Sequence, residues 1–244
     1  MKQSILNKLF GKVGFQVMGS GKDVEVVGLR GIRVLRRVFG YYLFLLLFWG
    51  FYRFLFRFPE NFEELFLKPL FWLLPLYQIV KKTEKKPLAS LGLTTKNLSR
   101  GIFLGLGIGV FFMVGGLLAN VIKYGQFNFS QTTYSGGGLV IAFLVSVVTA
   151  FTEELVFRGY VFNRFNQVWN DQWLANIVSS FLFALIHLPI TVFVLQYSPG
   201  QVIAYGLLVF VYSFGSGFVF ARTASLAGPI IMHLLWSWPI ILFR

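Results

Sequence analysis

The stretch Thr149–Phe162 reads TAFTEELVFRGYVF and sets Glu153, Glu154 and Arg158 among residues otherwise suited to a bilayer interior. A charge at the middle of a membrane-spanning helix costs about 2.5–3.5 kcal/mol on insertion scales, so three together call for a function. On a helix, Glu154 and Arg158 are four apart with the acid on the N-terminal side, the order in which each best neutralises the other. Adjacent residues point about 100° apart, so Glu153 cannot share that partner. It must hold a proton or find another partner, which is the condition of a carboxylate ready to take a proton from water. The competing reading is structural: an ion cluster that holds helices together, or an Arg158 that snorkels to the surface.

Two further residues weigh toward chemistry. The chain has only two histidines, His187 in FALIHLP and His233 in GPIIMHLLWSW, and both fall in apolar segments. Intramembrane histidines usually face the bundle interior or a water-filled cavity. A carboxylate can deprotonate water, one imidazole can orient that water, and a second can donate to the oxygen that becomes negative when a carbonyl is attacked. The same Glu153, His187 and His233 could instead hold a zinc ion with water in the fourth position. No H-E-x-x-H helix makes zinc the default, so the sequence leaves both routes open.

The elements that position these residues are apolar helices. Phenylalanine supplies 30 of 244 residues and only 13% are charged, about half the share of a soluble domain. The class expected is all-α: a polytopic transmembrane helical bundle of about seven spans, with six to eight as the range. The segments are Tyr41 to Phe56, Leu65 to Val80, Ile102 to Ile122, a fourth from Gly138, Trp173 to Leu188, Val202 to Ala221 and Leu226 to Phe243. Lys68, Pro69 and Pro75 interrupt the second, which is expected to kink or lie partly in the interface. Pro189 is expected to break the fifth. Gly101, Gly105 and Gly109 form a small-residue stripe on which another helix can sit closely. For Glu153 to meet the two histidines, the fourth helix has to continue past Arg158 toward Asn166. Three regions follow: a basic cytoplasmic N-terminal region 1–39, membrane segments and a basic loop over 40–87, and a core over 88–244.

The basic residues orient the bundle, because short cytoplasmic loops carry the excess of Lys and Arg. With the N-terminus inside, the outer set is only Arg53, Arg57, Lys68, Lys123 and Arg244, whereas Arg158, Arg164 and Arg222 join the inner set. The net charge of +13 then reflects topology and attraction to anionic lipids at the basic cytoplasmic loops. Nucleic acid is not an expected partner. With no cysteine, disulfides, thiolate nucleophiles and Cys-ligated zinc are excluded. The loops FNFSQTTYSGGG (127–138) and YSPGQ (197–201) are available to a substrate or partner, and the oligomeric state is not legible.

EELVFRG with Glu153, Glu154 and Arg158, FALIH with Phe183 and His187, and SLAGPIIMHLLWS with His233 resemble, in that order, the motifs of the CPBP family: the CAAX prenyl endopeptidases and their bacterial relatives, also called Abi-family intramembrane proteases. LASLGLTTKNLSRG resembles the family's approach to its core, and the likeness covers about Leu88 to Trp238. The resemblance implies a membrane-embedded endopeptidase in which Glu153 activates water with His187, His233 helps form the oxyanion site, and Glu154, Arg158 and Phe183 support them. Four residues after the last histidine the family often has asparagine; Ser237 stands here and reaches less far. Some relatives are regarded as metal-dependent and others not, so zinc or another divalent metal stays a candidate cofactor. The implied partner is a membrane-associated peptide or protein substrate, cut near the cytoplasmic side of a bacterial plasma membrane. The alternatives are a non-catalytic scaffold or immunity-type relative and, less favoured, a proton-coupled transporter.

Overall fold

The computed structural model describes residues 21–56, 58–126 and 137–242. Residues 1–20, Arg57, residues 127–136, which hold most of the FNFSQTTYSGGG stretch, and Phe243 and Arg244 lie outside them. Seven helices, no strand among the described residues, and one short 3-10 turn at Leu88–Leu91 make up the fold. They are α1 (Gly21–Leu55), α2 (60–83), α3 (Leu98–Tyr124), α4 (137–169), α5 (172–194), α6 (Pro199–Thr223) and α7 (Ala227–Leu242). Five of them, α1, α3, α4, α5 and α6, are long and apolar enough to cross a membrane, which makes the chain an all-α integral membrane protein. The second and seventh expected spans differ from these. α2 carries Glu60, Glu63, Glu64 and Lys68, and α7 has 16 residues over its described length.

α1 begins well before Tyr41 and runs without interruption through the boundary expected at residue 39. Val38, Tyr41, Tyr42, Leu45, Trp49 and Tyr52 recur at helical spacing and are all buried, so one stripe faces the bundle. Its tyrosines are anchored by their hydroxyls: Tyr41 donates to the Trp72 carbonyl at 2.6 Å and Tyr42 to that of Leu182 at 2.9 Å. Each ring thus buries its apolar body without leaving a polar tip unsatisfied.

Three helices depart from α geometry where the sequence forces it. α4 is α-helical over Gly137–Glu154, widens to π geometry over Leu155–Phe162 and returns to α over Asn163–Trp169. The continuation past Arg158 that the site requires is therefore present. π turns cluster at functional sites because the extra residue re-aims the side chains around it. Gly159 lies within this turn, where a Cβ would come within 2.6 Å of the Leu91 carbonyl oxygen. α2 has π geometry over Glu63–Leu67, just before Pro69, and again over Ile79–Thr83. The α-helical part of α5 stops at Leu185, not at Leu188. Proline clashes with the carbonyl four residues earlier, and for Pro189 that residue is Leu185. His187 therefore sits in the break.

Neighbouring contacts define two ends. Gly31 lies against Val168, Arg164 pairs with Glu84 at 2.8 Å, and the Leu226 amide donates to the Gly92 carbonyl at 3.1 Å. Exposed Arg33, Arg36, Lys81, Lys82, Lys85, Lys96 and Arg100 all belong to this end. The opposite end joins α1 to α2 and α5 to α6, with Phe54 against Phe193 at 5.2 Å. Four of the charges that entered the topology count are not loop charges: Arg53, Lys68, Arg158 and Arg164 are buried in ion pairs. The YSPGQ loop is partly the cap of α6, with Pro199 in the first turn and the Gln201 side chain accepting from the Ser198 amide at 2.9 Å.

α3 carries none of the candidate site residues, but it braces α7, which does. A Cβ on Gly105 would meet Gly228 Cα at 2.8 Å, and one on Gly109 would meet Met232 Cα at 3.1 Å. The small-residue stripe is thus the seat of α7. Because the obstruction at Gly105 is backbone, Gly105→Val is expected to destabilise the bundle by about 1–3 kcal/mol. Thermal unfolding of purified protein in detergent measures this; an unchanged midpoint would contradict the close α3–α7 approach.

Candidate functional site

Six helices bring polar side chains together in the bundle interior: α1, α2, α4, α5, α6 and α7. Glu154 sits at the inner side, fully buried, and accepts from Tyr212 Oη at 2.8 Å, Ser216 Oγ at 2.8 Å and His233 Nδ1 at 2.9 Å. Arg158 Nε pairs with it at 3.2 Å, as the four-residue spacing suggests. Arg158 does not snorkel: it is 2% exposed, donates to the Ser213 carbonyl at 3.0 Å and lies 4.6 Å over the Phe183 ring. Phe183 therefore serves as a platform for the cation and packs against His187 at 4.7 Å.

Glu153 points into a separate network. Lys68 Nζ donates to Glu153 Oε1 at 2.5 Å and to Glu64 Oε2 at 2.7 Å. Thr149 Oγ1 donates to the same Glu64 oxygen at 2.8 Å, and Arg53 reaches Glu64 Oε1 at 3.2 Å. Arg53 also pairs with Glu63, which accepts from Tyr52 Oη at 2.7 Å and from the Phe58 amide at 3.0 Å. When ionised, the carboxylates of Glu63, Glu64 and Glu153 face the two cations Arg53 and Lys68.

The histidines differ in their anchoring. The Phe183 carbonyl lies 2.7 Å from His187 Nδ1 and can only accept, so Nδ1 carries the hydrogen and the neutral ring keeps its lone pair on Nε2. His233 Nδ1 donates to Glu154, and its Nε2 is 3.8 Å from Glu153 Oε2. A cavity of about 190 Å³ joins these groups. Lys68, Glu153, His187, His233 and Ser237 line it, with Trp49, Trp72, Tyr205 and Trp236 supplying aromatic walls, and Arg53 and Glu60 bounding the side near the α1–α2 turn. Ser237 Oγ donates to the Leu234 carbonyl at 3.4 Å.

Glu153, Glu154, Arg158, Phe183, His187, His233 and Ser237 are thus gathered around one interior. No group of three His, Asp or Glu side chains placed to hold a metal ion is found among the described residues. The sequence reading does not assign Arg53, Glu63, Glu64, Lys68, Thr149, Tyr212 or Ser216 to the site, and takes Arg53 and Lys68 as outer charges. A signal for some of them was available. The run Glu63-Glu64-Leu65-Phe66-Leu67-Lys68 has the same acid-acid-x-x-x-base order as Glu153 to Arg158, and its Glu64 and Lys68 also pair at four-residue spacing.

Removing one partner of a buried pair strands the other. Arg158→Met is expected to cost about 3–5 kcal/mol, and adding Glu154→Gln to recover part of that loss. Denaturant unfolding in detergent tests the cycle. A double variant less stable than Arg158→Met alone would contradict mutual neutralisation.

Residues 135–239 match a family model described as "Type II CAAX prenyl endopeptidase Rce1-like". No curated protein and no solved structure matches the chain. The matched segment holds all three motifs that carry the resemblance; Glu153, Phe183, His187, His233 and Ser237 line the cavity, and Glu154 and Arg158 are buried beside it. Over those residues, fewer than half of the chain, the match agrees with the resemblance to the CPBP family.

Proposed function

We propose that the chain is an intramembrane endopeptidase that hydrolyses peptide bonds of membrane-associated peptides or proteins with water activated by Glu153. The family is one of membrane proteases. The observation that carries the reading is the division of labour at Glu153: Lys68 holds Oε1, and Oε2 stands toward His233 beside the cavity. A water there has two acceptors for its hydrogens, Glu153 Oε2 and His187 Nε2. As its oxygen attacks the peptide carbonyl carbon, Glu153 takes one proton and the carbonyl oxygen becomes negative. His233 Nε2, when it carries a hydrogen, and Ser237, after turning its hydroxyl from Leu234, are the groups that can face that oxygen. Return of a proton to the amide nitrogen lets the C–N bond break, giving a carboxylate and an amine.

The donor set supports a metal-free route, because the Lys68 ammonium holds the oxygen of Glu153 that a cation would compete for. The charged loops support an N-terminus in the cytoplasm, and in a bacterial cell the plasma membrane is the fitting location. In that orientation the Arg53 and Glu60 side of the cavity lies toward the far face, so substrate entry from that face is part of the proposal, in place of the cytoplasmic side that sequence alone suggests. One observation favours a second reading, a non-catalytic relative that binds a peptide: Ser237 is engaged with Leu234, so no short-range oxyanion donor is poised at that position.

Cleavage of a quenched-fluorescence peptide library by purified protein separates the two. Glu153→Gln is expected to lower kcat/KM by about 10²–10⁴-fold with the fold retained. Addition of a chelator is expected to leave the wild-type rate unchanged. Wild-type cleavage no faster than that of Glu153→Gln would favour the binding protein, and inhibition by the chelator would overturn the metal-free route.

A further inference from the structure

The glutamates Glu153 and Glu154 are neighbours in sequence, yet each has its own cation from a different place. Arg158, one turn along the same helix, serves Glu154, whereas Lys68 reaches Glu153 from α2. Lys68 lies outside the segment that matches the family model.

We propose that Lys68 is a positioning residue for the reaction, fixing the Glu153 carboxylate so that Oε2 is the oxygen that receives the proton from water. The inference rests on the protease reading of the site. Its geometric basis is that the ammonium is itself held. Glu64 binds it at 2.7 Å, and Glu64 is in turn held by Thr149 at 2.8 Å and Arg53 at 3.2 Å. With Lys68 5% exposed, this chain of contacts leaves the ammonium little freedom to follow a rotating carboxylate. The carboxylate must instead settle against the ammonium, with Oε1 occupied at 2.5 Å and Oε2 on the side of His233. Rotation by half a turn would exchange two chemically identical oxygens, so what Lys68 fixes is the plane and direction of the group.

Its second role is electrical. Before reaction the ammonium faces two carboxylates, and when Glu153 takes up a proton the Lys68–Glu64 pair remains as a neutral unit. The proton can then move on to the leaving nitrogen without leaving an uncompensated buried cation. The π turn over Glu63–Leu67 is the local device that presents Glu63 and Glu64 to the interior together with Lys68, since both acids and the lysine are buried.

Because misplacement of a reacting group by about 1 Å can cost about 10²-fold, Lys68→Met is expected to lower kcat by about that factor with little change in KM. Lys68→Arg, which restores a cation, is expected to recover a large part of the lost kcat. A residue that only supports the bundle would not give rescue by charge. If Lys68→Met does not fold, Glu64→Gln tests the same idea by loosening the ammonium while leaving it beside Glu153, and a reduced kcat at unchanged KM is expected. Wild-type kcat in Lys68→Met or in Glu64→Gln, or equal loss in Lys68→Met and Lys68→Arg, would overturn the positioning role. If wild-type protein cleaves and Glu153→Gln does not, the protease reading stands whichever way these variants fall; absence of wild-type cleavage overturns both.

Discussion

The pairing of buried charges across helices is the constraint on which the rest of this structure depends. Lys68 on α2 meets Glu153 on α4, and neither can be buried in an apolar bundle without a partner of opposite sign. The two helices are therefore tied at one depth and one rotation. The tie extends through Glu64, Arg53 and Glu63 to α1, so three helices share a single network. The second network, around Glu154, ties α4 to α6 and α7 through Tyr212, Ser216 and His233. Adjacent residues on α4 thus hold two different sets of helices, and the cavity lies where the sets meet.

Burial of this many charges costs free energy that well-packed apolar residues would not. Ion clusters of this kind are poor devices for stability alone, since hydrophobic replacements of similar volume are often neutral or stabilising. What the cluster provides is fixed direction for a carboxylate and two imidazoles, each with one side anchored and the other turned to the cavity. Preorganised polar groups in a water-poor site are what proton transfer and oxyanion stabilisation require. The apolar surroundings contribute by geometry: the Gly101, Gly105 and Gly109 stripe seats α7 at the distance that puts His233 beside Glu154, and Pro189 opens α5 at His187.

Much of this was legible in the sequence for identifiable reasons. The Glu154–Arg158 pair follows from helical spacing, the α3 stripe from its glycines, and the membrane class from the scarcity of charge. Lys68 was not legible as a partner of Glu153 because the two are 85 residues apart, and a lone lysine near two prolines reads equally well as a loop charge. Hydropathy also gives the count of apolar stretches rather than their lengths. α1 proved longer because a basic helix start can project beyond the bilayer, whereas α2 trades apolar length for buried acids. The π turns leave no mark on periodicity over so few residues. The repeated acid-acid-x-x-x-base order was present in both α2 and α4, but its meaning is evident only when both copies face the same interior.

The central claim is that water, activated by Glu153, is the nucleophile. Single-turnover cleavage of a peptide substrate in water enriched in oxygen-18, with mass analysis of both the product and the protein, tests it most directly. The account predicts one heavy oxygen in the new carboxylate of the product during the first turnover and none in the Glu153 side chain. Unlabelled product in the first turnover, with heavy oxygen appearing at Glu153, would show direct attack by the carboxylate and contradict it.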